Sequence, residues 1–177
     1  MSYYTQTFYE ARERNWNLDD YYFNKNNKLI GDQSKIMSPD FTYHLINDGQ
    51  DNGAYATDVL RVIKHIGNSS WRNMSYNLES HKNWPNELAW REAPIYRSSN
   101  FKNETGVLYY LEINSIEDIN IVKKLLNEGY LLSIAVDSSK YYNENEKVRS
   151  TLKVENYGDT NIWNLNHANT LVGYDDE

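Results

Sequence analysis

Apolar residues recur along this chain first at helical and later at strand spacing, and the change of rhythm falls past its middle. In residues 2–16, Tyr4, Phe8 and Ala11 share one stripe while Glu10, Arg12 and Glu13 turn away, which predicts an amphipathic helix. No N-cap residue leads into it, so the helix reads as entered part-way. Residues 24–31 read as a polar loop. Ser38-Pro39 supplies an N-cap with proline at the first helical position, predicting a short helix through Phe41, Leu45 and Ile46. A turn cluster over 48–53 precedes a second amphipathic helix, marked by Val59, Val62, Ile63 and Ile66 and closed by Gly67.

Residues 71–97 carry little periodicity and many aromatics, which predicts a long irregular connection with a short helix at 86–92. From there the texture changes. Residues 107–113 read as a strand, and Ser115-x-x-Asp118 caps a helix over 116–128 along Ile116, Ile119, Val122 and Leu126. A buried-type strand follows at 131–136, an alternating one at 148–154 and another at 168–174. Helices first, then strands around one helix, predict an α+β protein with a helical lobe over 1–100 and a sheet lobe over 101–177. There is no internal repeat.

The formal charge of −7 argues against a nucleic-acid groove, which needs clustered Lys and Arg. No apolar run approaches the length of a membrane span, and the first residues lack a signal-peptide core, so the compartment stays open. Abundant Tyr, Trp and Asn suit either a wet, aromatic-lined surface or a biased genome. The absence of cysteine has more force: these residues hold no disulfide, no thiolate metal site and no thiol nucleophile.

Against that background one stretch stands out, Asn166-His167-Ala168-Asn169-Thr170-Leu171-Val172-Gly173-Tyr174. It resembles the histidine strand of papain-like cysteine peptidases, where an imidazole serves as general base and acid for a thiolate. Other stretches match that family in order. Met37-Ser38-Pro39 resembles the start of the second helix of its left lobe, and Gly49-Gln50-Asp51-Asn52-Gly53-Ala54-Tyr55 its Gly-Cys-Asn-Gly-Gly-Tyr loop. Trp71 to Asn77 is similar to the segment leading into Tyr-Pro-Tyr, with Ser75 where proline is usual. Glu128-Gly129-Tyr130 and the strand after it resemble the Gly-Pro-Val strand.

The resemblance implies a two-lobe papain-like fold, with a helical left lobe built on helix 2–16 and a β-barrel-like right lobe, incomplete at both ends. The family's Cys and oxyanion Gln would fall ahead of Met1, and its Asn-Ser-Trp beyond Glu177. It further implies a peptide or protein substrate, no cofactor and no metal. His167 would be the catalytic base, against the alternative of a hydrogen-bonded strand histidine. Asn52, Gly53 and Ala54 would present backbone groups to an extended substrate, or simply form a turn. Ala135, Leu165, Asn166 and Ala168 would line the substrate site, or simply be strand residues. His44, His65 and His81 lack ligand spacing and read as surface or helix-face residues. Trp71, Trp84 and Trp90 read as packing between lobes rather than a sugar platform, and Asn68, Asn73 and Asn103 sit in glycosylation sequons. Two functions follow: a peptidase whose chain here holds the histidine without a nucleophile, or a peptide-binding pseudopeptidase.

Overall fold

The computed structural model describes residues 2–26, 28–77, 81–98, 111–136 and 166–176. The chain divides into two compact units, Ser2–Leu111 and Glu112–Glu177.

The first unit opens with α1 (Ser2–Arg14). Its buried face is not the expected one. Gln6, Thr7 and Glu10 are buried, whereas Tyr4 is 54% and Phe8 36% exposed. The burial of Gln6 and Thr7 is tolerated because each finds a distant partner. Gln6 Nε2 donates to the Tyr96 carbonyl at 2.7 Å, Asn68 Nδ2 donates to Gln6 Oε1 at 2.8 Å, and the Met37 N–H reaches Thr7 Oγ1 at 3.0 Å.

Overlapping the loop expected at 24–31, the chain makes a small antiparallel hairpin, β1 (Tyr22–Phe23) on β2 (Leu29–Ile30). Asn24 Oδ1 closes it by accepting the N–H groups of Asn26 and Lys28. Next, α2 (Pro39–His44) starts as the Ser38-Pro39 pair predicts, with Ser38 Oγ accepting the Phe41 N–H at 3.1 Å. The second amphipathic helix is α3 (Ala56–His65), burying Val59, Val62 and Ile63. It stops before Gly67, whose φ of +102° suits glycine. The aromatic stretch holds α4 (Glu87–Glu92), capped by Asn86, and then a 3-10 turn over Ala93–Tyr96.

Two clusters form this unit's core. Phe41, Met74, Ala89 and Ala93 pack with Leu45, Ile66 and Trp90, while Leu29, Ile36 and Trp71 pack with Tyr3, Leu18 and Tyr21. Trp71 and Trp90, expected to pack between lobes, thus pack inside this unit, and Trp84 is 67% exposed. Asn68, in one sequon, is buried and spent on Gln6; Asn103 lies outside the described residues.

The second unit has α5 (Ile116–Asn127), β3 (Leu132–Val136) and β4 (His167–Leu171). Ser115 caps α5 as expected: its Oγ accepts the Asp118 N–H at 3.2 Å, and Asp118 Oδ2 accepts the Asn114 N–H at 3.0 Å. Ile116 and Ile119, expected on a buried stripe, are exposed. The strand expected to be buried, β3, instead alternates between exposed and covered positions and ends on buried Val136. Of the strand expected at 107–113, residues 107–110 lie outside the described residues and 111–113 are not in a strand; the one at 148–154 lies wholly outside them. Helix and strand together make the chain α+β. Among the described residues the second unit's sheet is a two-stranded antiparallel ladder and is not closed.

Candidate active site

His167 owes its position to the register of one ladder. β3 and β4 run antiparallel with Leu132 opposite Leu171, Ala135 opposite Ala168 and Val136 opposite His167. The Asn166 N–H donates to the Val136 carbonyl at 3.1 Å, carrying the pairing one residue past the strand. His167 is therefore the terminal pair of a ladder whose other half ends on a buried valine. That arrangement fixes its backbone while leaving its imidazole exposed. Among the described residues, its ring makes no hydrogen bond.

Side chains of directly opposed residues share a face, and successive residues alternate between faces. His167 consequently lies on the face of Val136, Ile134 and Leu171. Ala168 and Ala135 lie together on the opposite face with Ser133 and Thr170. Neighbouring residues of the same strand thus separate into an imidazole on one side and a pair of small methyl groups on the other. Asn166 is exposed next to His167; Leu165 lies outside the described residues.

The segment after β4 is tied down on α5. Lys123 Nζ pairs with Asp176 and lies 5.2 Å over the Tyr174 ring, and Asn127 Nδ2 donates to the Tyr174 hydroxyl at 2.8 Å. Sequence periodicity did not single out Lys123 or Asn127. Their role follows from a pairing about fifty residues distant.

Asn52, Gly53 and Ala54 sit in the first unit as an exposed loop. Gly53 has φ +77°, and a Cβ there would meet nothing within 4 Å. Tyr43 supports the loop's start, donating from its hydroxyl to Asp51 Oδ1 at 3.0 Å. Asn47 shapes the preceding turn by accepting the Gly49 N–H through Oδ1 at 3.1 Å. Burial, chiefly, raises the Tyr43 phenol above its ordinary range, with the Asp51 hydrogen bond adding to it. The phenol therefore stays protonated as a donor.

Of the remaining histidines, His65 is exposed, but His44 is buried on the last turn of α2 rather than at the surface. Among the described residues no group of three His, Asp or Glu side chains gathers as a metal site. Among them, too, no helix is long and apolar enough to cross a membrane.

The chain has a fold of the papain-like cysteine-protease type. It is similar to the crystal structure of xylellain, a cysteine protease from Xylella fastidiosa, with a TM-score of 0.61 at 18% sequence identity. That likeness covers 98% of this chain and 61% of xylellain, so the chain spans about three fifths of the longer protein. At this identity the likeness is one of fold. No protein-family model matches the chain, and no curated protein matches it.

Proposed function

We propose that this chain works in a papain-like cysteine peptidase, with His167 as the imidazole of a thiolate–imidazole pair that hydrolyses peptide bonds. The observation that carries this reading is the position of His167 at the end of the β3–β4 ladder, in a chain with a cysteine-protease fold. In such chemistry the imidazole holds a thiolate as an ion pair, passes its proton to the leaving amine and then activates water for deacylation. None of the 177 residues is cysteine, so the thiol in this reading comes from polypeptide outside this sequence.

Residues 1–100 would form the left lobe and 101–177 a barrel-like right lobe. Asn52, Gly53 and Ala54 would offer it backbone hydrogen bonds, a short strand addition that reads peptide without reading sequence. Leu165, Asn166, Ala135 and Ala168 would line the site. The opposed faces of β4 support a division of labour: the imidazole serves the scissile bond, and the Ala135–Ala168 pair leaves room for a bulky neighbouring side chain.

The absence of cysteine favours a second reading, a pseudopeptidase that binds peptides without cutting them. Fluorogenic dipeptidyl amides, assayed with the 177-residue chain and with the full polypeptide encoded by its gene, separate the two. The peptidase reading expects no turnover from the chain and thiol-dependent turnover from the full polypeptide, with His167→Ala slowing it about 10²–10⁴-fold. Saturable peptide binding by the full polypeptide without turnover would favour the pseudopeptidase and overturn the first reading.

A further inference from the structure

A polar pocket of about 370 Å³ opens in the first unit, and none of its lining residues belongs to the proposed peptide site. Its walls include Asp40, His44, Asn73, Asn77, Asn83 and Trp84. Asp40 and His44 stand one helical turn apart on α2 and are buried, at 3% and 6% exposure. His44 Nδ1 lies 2.6 Å from the Asn83 carbonyl oxygen. A carbonyl only accepts, so that nitrogen carries the hydrogen.

In the neutral imidazole Nε2 is then a bare acceptor. It lies 4.0 Å from Asp40 Oδ2, beyond hydrogen-bond length. Asp40 Oδ2 accepts the Asn77 N–H at 2.8 Å and retains further lone-pair capacity. Two acceptors therefore flank one gap, and neither Lys nor Arg is among the pocket's described lining residues. Burial holds the Asp40 carboxyl above its ordinary range, opposed by the Asn77 N–H and, when its ring is charged, by His44. A cation arriving there offsets the cost of its charge.

The size of the gap restricts the occupant. A nitrogen about 2.8 Å from both acceptors subtends roughly 90° between them. A tetrahedral ammonium accommodates that angle better than a planar guanidinium nitrogen, whose hydrogens diverge by about 120°. Trp84 shares the wall, is largely exposed and lies with its ring centroid 5.9 Å from that of Trp90, and an indole is a surface on which a cation or its alkyl stem can rest.

We propose that this pocket binds a primary alkylammonium group, held between Asp40 Oδ2 and His44 Nε2 with its stem along Trp84. A lysine side chain and a free polyamine share that chemistry.

The test is a titration of the full chain with n-butylammonium, followed by tryptophan fluorescence and by the His44 ring resonances. A saturable change in both is expected, and tetramethylammonium, which has no N–H, should bind at least about tenfold more weakly. Asp40→Asn should weaken n-butylammonium by about tenfold or more. Trp84→Ala, at an exposed position, should weaken it too while leaving the far-ultraviolet circular dichroism unchanged, which separates lost binding from lost folding. Comparing Nα-acetyl-lysinamide with putrescine assigns the source as protein lysine or polyamine. No saturable response from the folded chain, equal binding of tetramethylammonium, or displacement of n-butylammonium by methyl glucoside would overturn the proposal.

Discussion

Ser70 gives both its backbone N–H and its hydroxyl to one oxygen of Glu92, Oε2, at 2.7 and 2.9 Å. Ser69 Oγ and Asn73 Nδ2 reach the same oxygen at 2.8 and 2.9 Å. A single carboxylate on α4 therefore organises the turn that carries Trp71 and Met74 into the two cores of the first unit. Glu92→Ala strands these four donors, three of them on Ser69 and Ser70, which are wholly buried. It should cost about 2–4 kcal/mol, and Glu92→Gln, which keeps an acceptor, should cost less. Urea unfolding followed by tryptophan fluorescence measures both. Negligible losses in both variants would mean that the carboxylate and its four donors matter little.

Gly67 and Gly53 both have positive φ, but they meet different surroundings. A Cβ on Gly67 would lie 1.8 Å from the Ala93 carbonyl oxygen, whereas one on Gly53 meets nothing within 4 Å. Gly67→Ala should cost about 3 kcal/mol or more, because backbone must move as well as strain be absorbed. Gly53→Ala should cost about 1 kcal/mol from strain alone. The difference between their denaturation midpoints checks the ranking, and indistinguishable midpoints would refute it.

Glu10 is 1% exposed, with Oε2 2.7 Å from Arg14 Nε and Oε1 without a hydrogen-bond partner among the described residues. Burial lifts its carboxyl above the ordinary range, and the hydrogen bond and charge of Arg14 oppose the lift. The folded state thus keeps this proton to a higher pH than the unfolded chain does. Its contribution to stability is greatest in acid, falls as pH rises from the unfolded to the folded value, and is flat beyond. Glu10→Gln removes the equilibrium. The stability of the variant minus that of the wild type should therefore increase across that window, and a difference independent of pH would contradict the assignment.

Ala135 and Ala168 are directly paired on one face of the β3–β4 ladder. In the full, thiol-containing polypeptide, Ala135→Phe should penalise substrates with a bulky side chain near the scissile bond by about 1–3 kcal/mol in kcat/KM. Small side chains should be spared. An equal loss across a substrate series would point to overpacking of the sheet instead.

Local chemistry was legible where it is decided locally. Ser38-Pro39 and Ser115 cap their helices through bonds three residues away, so their spacing was enough. The buried face of α1 was not legible. Gln6 is buried because the Tyr96 carbonyl and Asn68 reach it from 90 and 62 residues away, and no hydrophobic period records such partners. Residues 24–31 read as a polar loop because the hairpin turn is held by Asn24, a side chain that marks loops and hairpins alike. At the candidate site, the motif around His167 was visible. Its register against Val136 was not, since that depends on pairing across thirty-one residues. The buried Asp40–His44 pair was missed because a helix-face histidine gives no sign of what packs over it.

The pairing of His167 with a thiolate is tested most directly by the pH dependence of cysteine alkylation in the full, thiol-containing polypeptide. An imidazolium beside a thiol keeps it ionised well below the free-cysteine value of about 8.5. The wild type should therefore react with iodoacetamide readily at about pH 6, and His167→Gln should lose that reactivity and follow a midpoint near about 8.5. Superimposable profiles for the two proteins would mean that His167 does not hold the thiolate.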